Sequence, residues 1–266
     1  MSEKPSPFTF SELDGLAFAA ERGLLNARSP RFTAVDIGPI FELGLLAKTG
    51  LLRWPGDSGW LHLNGADHII SALSKRKHLW VCPNTRRMGL YRAYATPQRD
   101  ENLWVEFGVA AQYCASEAGF SRDMGAQLVG AIGEMQSNIY EHSEASATGI
   151  VAFRGTPGSF EFVVADRGIG VLESLKGCSE YAELTNHGQA LQLTLTEGIS
   201  RYGPQSGRGL GFRPLFRGLS NLNGSLRFRS GDYALTIEGQ NPIAIPAKLW
   251  QKPMLKGFFA SVICRC

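Results

Sequence analysis

Between residues 123 and 143 apolar side chains recur at helical spacing, with Leu128, Ile132, Met135 and Ile139 on one stripe. That stripe must face a core. Glu134, Asn138 and His142 run beside it four residues apart, so they share one helical face with only about 40° of drift per step. A carboxylate, an amide and an imidazole at the margin of a buried face are costly unless they are paired or serve a ligand. A solvated face with hydrogen bonds at i,i+4 spacing accounts for the same pattern without a ligand. Directly after this helix, residues 149–154 and 160–165 read as two strands joined by a turn at Gly155-Thr156-Pro157-Gly158.

A second helix is predicted just upstream, over 103–118, and strands close the chain near 225–229, 233–238 and 258–265. Helices followed by a mostly antiparallel sheet describe an α+β protein, a two-layer α/β sandwich over 96–266. The first 95 residues read as a small α/β domain: strands at 32–37, 60–63 and 78–82, and helices from Pro39 and over 66–77. The polar stretch 83–102, rich in Arg, Pro and Asn, reads as the boundary between the two.

Composition narrows the class. The 266 residues are 44% hydrophobic with a net charge of +3, which excludes disorder and argues against a protein built to sit on a phosphate backbone. Basic clusters at Lys75-Arg76-Lys77-His78 and Arg86-Arg87, near Trp80, Tyr91 and Tyr94, then read as solvated surface or a protein-binding patch rather than a nucleic-acid site. No apolar run reaches the length of a membrane helix, and the first residues carry no signal-peptide core, so a cytoplasmic protein without a membrane partner is expected. Five cysteines with no Cys-x-x-Cys pair indicate reduced thiols rather than a disulfide or zinc framework. Glycine is over-represented, at 31 residues, and much of it is clustered.

Two of those clusters follow the helix. Asp166-Arg167-Gly168-Ile169-Gly170 ends the second strand, where a carboxylate can accept from a base amine and glycines admit a flat ring; an ordinary turn reads the same way. Gly207-Arg208-Gly209-Leu210-Gly211 opens a predicted helix over 209–222, where free backbone N–H groups and the positive dipole end suit phosphate. It is neither a dinucleotide fingerprint nor a P-loop, since no parallel βαβ unit and no Gly-Lys-Ser/Thr accompany it.

The order Glu134-x-x-x-Asn138-x-x-x-His142, then Asp166-x-Gly168-x-Gly170, then Gly207-x-Gly209-x-Gly211 resembles the GHKL ATPase family. That family groups DNA gyrase, the ninety-kilodalton heat-shock chaperone, mismatch-repair ATPases and histidine kinases. The likeness covers about the last three-fifths of the chain and is most similar to the branch of anti-sigma-factor serine kinases. Such a resemblance implies the Bergerat fold of that family, bound ATP or ADP and Mg²⁺. It implies Asn138 as the metal ligand, Glu134 as general base and Asp166 as reader of the adenine amine, with Gly168 and Gly170 framing the base. His142 falls within the same implied cofactor-binding motif. Gly207, Gly209 and Gly211 would wrap the phosphates with Arg208 beside them, and residues 171–206 would form a lid. Where the family's last strand commonly starts Gly-Thr, this chain has Gly257-Phe258. The first domain weakly resembles the STAS-like domain of anti-sigma antagonists through Ala34-Val35-Asp36-Ile37-Gly38-Pro39, but has no hydroxyl to phosphorylate there.

What the resemblance implies is an ATP-Mg²⁺-binding regulatory protein of serine/threonine kinase type, acting on a protein partner that the sequence does not identify, and it leaves a homodimer open. Two alternatives stand beside it: an ATP-gated interaction module with little turnover, and a conformational ATPase.

Overall fold

A computed structural model of the chain describes residues 5–25, 31–55, 59–96, 101–195, 224–238 and 247–266. The protein is mixed α+β, with seven α-helices and two sheets among the described residues. The larger sheet has six strands, all antiparallel: β4 (Leu79–Val81), β5 (Met88–Arg92), β6 (Ile150–Thr156), β7 (Ser159–Asp166), β8 (Ser225–Glu238) and β9 (Lys248–Arg265), in the order β4-β5-β6-β7-β9-β8. β5 lies inside the stretch expected to be a boundary, and β4 and β5 extend the sheet across residue 95. The two strands expected at 225–229 and 233–238 are one, β8, interrupted by a bulge around Gly231.

One face of this sheet is covered by α4 (Glu101–Glu117) and α5 (Arg122–His142), the two helices expected there. Ser121 caps α5 by accepting from the Met124 N–H at 3.3 Å. Leu128, Ile132, Met135 and Ile139 point inward, against Phe160, Phe162 and Val164 of β7 and Phe228 of β8. Alternation along β7 sends Val163 and Ala165 to the opposite face, into a separate core.

That opposite face is not open. α1 (Phe10–Glu21) and α2 (Ile37–Lys48) pack on it, and a small parallel sheet of β1 (Ser6–Phe8), β2 (Phe32–Ala34) and β3 (Leu61–His62) joins the same core. The expected two-layer sandwich therefore gains further layers, because Ala152, Val163, Ala165 and Phe259 present a second apolar face that needs cover. The strand expected over 32–37 ends at Ala34, and Ile37 already begins α2. Asp36 stands at the N-cap but makes no capping bond; the Glu161 carboxylate of β7 accepts from the Ile37 N–H instead, at 2.8 Å.

Charged groups cross this junction in two buried clusters. Glu42 of α2, fully buried, accepts from Arg227 (Nε to Oε2, 2.8 Å) and from Arg229, both on β8. Arg227 also reaches Asp14 of α1 at 2.7 Å, and Lys252 of β9 closes on the same carboxylate at 2.7 Å. Burial opposes ionisation of Glu42, but the two guanidinium groups outweigh it and hold the carboxyl at about 2. The second cluster sets Glu161 against Arg154 of β6 at 3.1 Å, with Asp36 nearby. Here burial dominates, Asp36 adds repulsion, and Glu161 is pushed up to about 8.

α3 (Asp67–Ser74) packs on β5. After β7 come α6 (Gly170–Lys176) and α7 (His187–Leu193), which dock on β8 and share a small core of Leu172, Leu175, Tyr181 and Ala190. The first part of the expected lid, as far as residue 195, is thus folded into two short helices. No described helix is long and apolar enough to cross a membrane.

Candidate functional site

α5 carries the first motif and the end of β7 the second, and a close contact binds them. Ile169 N–H donates to the Ser143 carbonyl, just past the end of α5, at 2.9 Å. A Cβ on Gly168 would lie 1.9 Å from that same oxygen, so only glycine allows the approach. Gly170 has φ +78° and begins α6, where an added Cβ would meet the Ser230 hydroxyl at 2.7 Å. Ser230 accepts from Val171 N–H and donates to the Gly257 carbonyl, at 3.0 and 2.8 Å. The glycines of this motif are therefore required by the chain's own packing, independently of any ligand.

Asp166 is the last residue of β7 and only 4% exposed. It pairs with Phe258 across the β7–β9 ladder, and Phe258 belongs to the core under α4 and α5, so Asp166 also points to that face. Its Oδ1 accepts from the Gly168 N–H at 2.8 Å. Burial raises its carboxyl to about 6 against the pull of the Gly168 and Phe258 amides. Opposite Asp166 the side chain is the apolar Phe258, as its sequence position indicated, and Ser230 stands across the ladder from Phe258 on β8.

Of the three helix residues, Glu134 is exposed, and Asn138 and His142 are half-buried. His142 Nδ1 lies 3.2 Å from the Ser174 hydroxyl, which ties α5 to α6. Glu134 and Asn138 make no side-chain hydrogen bond or ion pair among the described residues. Asn138 stands about 6 Å along the helix axis from His142, and Glu134 about 6 Å further back. Side-chain oxygens of these two types suit a hard cation such as Mg²⁺, which takes few protein ligands and keeps several waters. Gly207, Arg208, Gly209 and Gly211, with the expected helix over 209–222, lie outside the described residues. Tyr91, near the basic clusters in the sequence, is fully buried against Trp104 and Phe107, which leaves it unavailable to a base.

Two features of this region escaped the sequence pattern. One is the His187–Asp232 pair, Nδ1 to Oδ1 at 2.7 Å, which fastens α7 to the β8 bulge. The other is the tight packing of Gly257 (φ +87°) against the Asp166 backbone, where a Cβ would fall 2.3 Å from the Asp166 carbonyl oxygen. A Gly-Phe step at the start of the paired part of a strand was the available signal for the latter; nothing local marks the former. No family model matches the chain, and no curated protein matches it.

Proposed function

We propose that the chain is a GHKL-type protein that binds ATP with Mg²⁺ between α5 and the end of β7, and that it acts as a regulatory protein of serine/threonine kinase type on a protein partner. One observation carries this reading: a buried carboxylate, Asp166, lies on the sheet face covered by the helix that bears Glu134 and Asn138, and the 166–170 turn is fastened to the end of that helix. A carboxylate so placed accepts from an exocyclic amine, which adenine has and which guanine replaces at the equivalent edge with an acceptor. Asn138 would hold the cation, whose chemistry when bound is to neutralise the phosphate charge. Glu134, one turn away, is the group available to take a proton from the attacking hydroxyl. Arg208 and the glycines at 207, 209 and 211 are assigned to the phosphates on their sequence order alone.

Calorimetric titration with ATP and with GTP, each with Mg²⁺, tests the reading. ATP binding is expected, GTP binding is expected to be far weaker, and Asp166→Asn should weaken ATP by roughly 10–100-fold, the worth of one charged hydrogen bond. Equal affinity for the two nucleotides refutes it. A second reading, a nucleotide-gated module with little turnover, is favoured by one detail: Glu134 is exposed, and no hydrogen bond among the described residues orients its carboxylate.

A further inference from the structure

On the face of the sheet opposite Asp166, three arginines from separate stretches of the chain, β5, the turn after α3 and the loop after β7, gather at one rim. Arg92 ends β5, and its Nη2 donates to the Leu73 carbonyl at 2.8 Å, in the last turn of α3. The Arg76 N–H approaches that same carbonyl at 3.3 Å, and Arg76 itself is exposed, with φ +53°. Arg167 follows Asp166; its N–H donates to the Thr148 hydroxyl at 2.9 Å, next to Gly149, whose carbonyl accepts from Ala93 N–H at 3.0 Å. These bonds place the 76, 92 and 167 backbones around one corner. Arg92 pairs with Ile150 and Ile150 with Ala165, residues whose side chains meet the core away from α5, so Arg92 stands on that side too.

Such a cluster is unfavourable as it stands. Among the described residues, no carboxylate forms an ion pair with any of the three. Burial, then Arg76 and Arg167, all press the Arg92 guanidinium toward losing its proton. The Arg92 Nε is buried with no hydrogen-bond partner. Lys75 and Lys77, both exposed, add positive charge on either side of Arg76. A donor set of this kind, planar, cationic and lacking a counter-charge, is one that a dianionic oxyanion completes, since three guanidinium groups offer more donors than one carboxylate can accept.

We infer that Arg76, Arg92 and Arg167 form a binding site for a phosphoryl group, separate from the Asp166 face and independent of the nucleotide reading. The group can come from a free phosphate ester or from a phosphorylated segment of a protein, and the chemistry of capture is the same. Backbone amide signals of Arg76, Ala93 and Arg167 followed by NMR at constant ionic strength test this. The probes are inorganic phosphate, a phosphoserine peptide and its unphosphorylated twin. Saturable shifts are expected at these three amides with both phosphorylated probes and not with the twin. Arg76→Gln and Arg167→Gln, both at exposed positions, should each weaken binding roughly tenfold and together about a hundredfold. Asp166→Asn should leave it unchanged. Tighter binding of the phosphopeptide upholds the site with a protein as source; equal binding upholds it with a free ester. The inference is overturned if neither phosphorylated probe shifts these amides, if the unphosphorylated peptide binds as well, or if the double variant binds as the wild type does.

Discussion

Removing the Glu42 charge should be strongly destabilising. Glu42→Gln keeps the shape of the side chain but leaves Arg227 and Arg229, only 5% and 0% exposed at their side chains, with one carboxylate fewer. Among the described residues, Arg227 retains Asp14, whereas Arg229 retains only the Pro253 carbonyl. Two routes give the size of the loss. Breaking a buried ion pair from one side costs about 3–5 kcal/mol. Independently, lowering the Glu42 carboxyl from 4.5 to about 2 is worth about 3 kcal/mol at ~1.36 kcal/mol per pH unit. For a chain of this size that is a fall in Tm of about 6–12 °C at pH 7. The sign of the pH dependence follows from the lowered value. The stabilisation is fully present above pH 4.5 and disappears as pH falls toward 2, so the gap between wild type and variant should close over that interval. Urea unfolding at several pH values, read by tryptophan fluorescence, measures both quantities. A loss under about 1 kcal/mol at pH 7, or a gap that stays constant down to pH 2.5, would refute the reasoning.

Glu161 should behave in the opposite sense. Its raised carboxyl makes the wild type lose stability as pH climbs from 4.5 through about 8, by up to about 5 kcal/mol, while Glu161→Gln, a mimic of the protonated form, should become the more stable protein at pH 9; thermal melts across that range decide it. ATP affinity should be full well above pH 6 and decline as pH falls through about 6, because the Asp166 acceptor is lost on protonation; a flat titration profile between pH 5 and 7.5 would tell against Asp166 as the reader. Glu134→Ala should keep nucleotide binding while reducing any phosphoryl transfer by ~10²–10⁴-fold, and Asn138→Ala should lose both, as measured by calorimetry beside a radiolabelled transfer assay. Gly168→Ala should cost at least about 2 kcal/mol, since its methyl group would collide with the Ser143 carbonyl; a melt within a degree of wild type would show that the turn can move.

Long, regular patterns were legible. The apolar stripe from Leu128 to Ile139 and the apolar run from Phe160 to Ala165 located α5 and β7 to within a residue or so, and with them the relation of Asn138 to Asp166 along the chain. Short elements were legible only in part: β2, β3, β4 and α3 fall within expected spans, whereas β5, α6 and α7 were not foreseen. β5 has the five residues Met88–Arg92 among arginines and turn formers, too few for a period-two signal to emerge, and α6 and α7 have seven residues each, barely two turns. Buried charge was the other blind spot. Nothing local marks Glu42, Arg227 and Arg229 as buried, because their partners lie far along the chain, 185 residues away for Glu42 and Arg227. The rim arginines illustrate the same limit: Lys75-Arg76-Lys77 is visible as a basic run, but only the fold brings Arg92 and Arg167 to it.

β9 is shared between two interiors. Phe258, Ala260, Val262 and Cys264 line the core beneath α4 and α5, while Leu255 and Phe259 line the core beneath α1 and α2. A strand that serves both sides cannot leave one without withdrawing from the other, so the two ends of the polypeptide are coupled in their melting. The expected thermogram is a single endotherm, with calorimetric and van't Hoff enthalpies in agreement, rather than one peak for each sheet. Heat would take this molecule apart in one event.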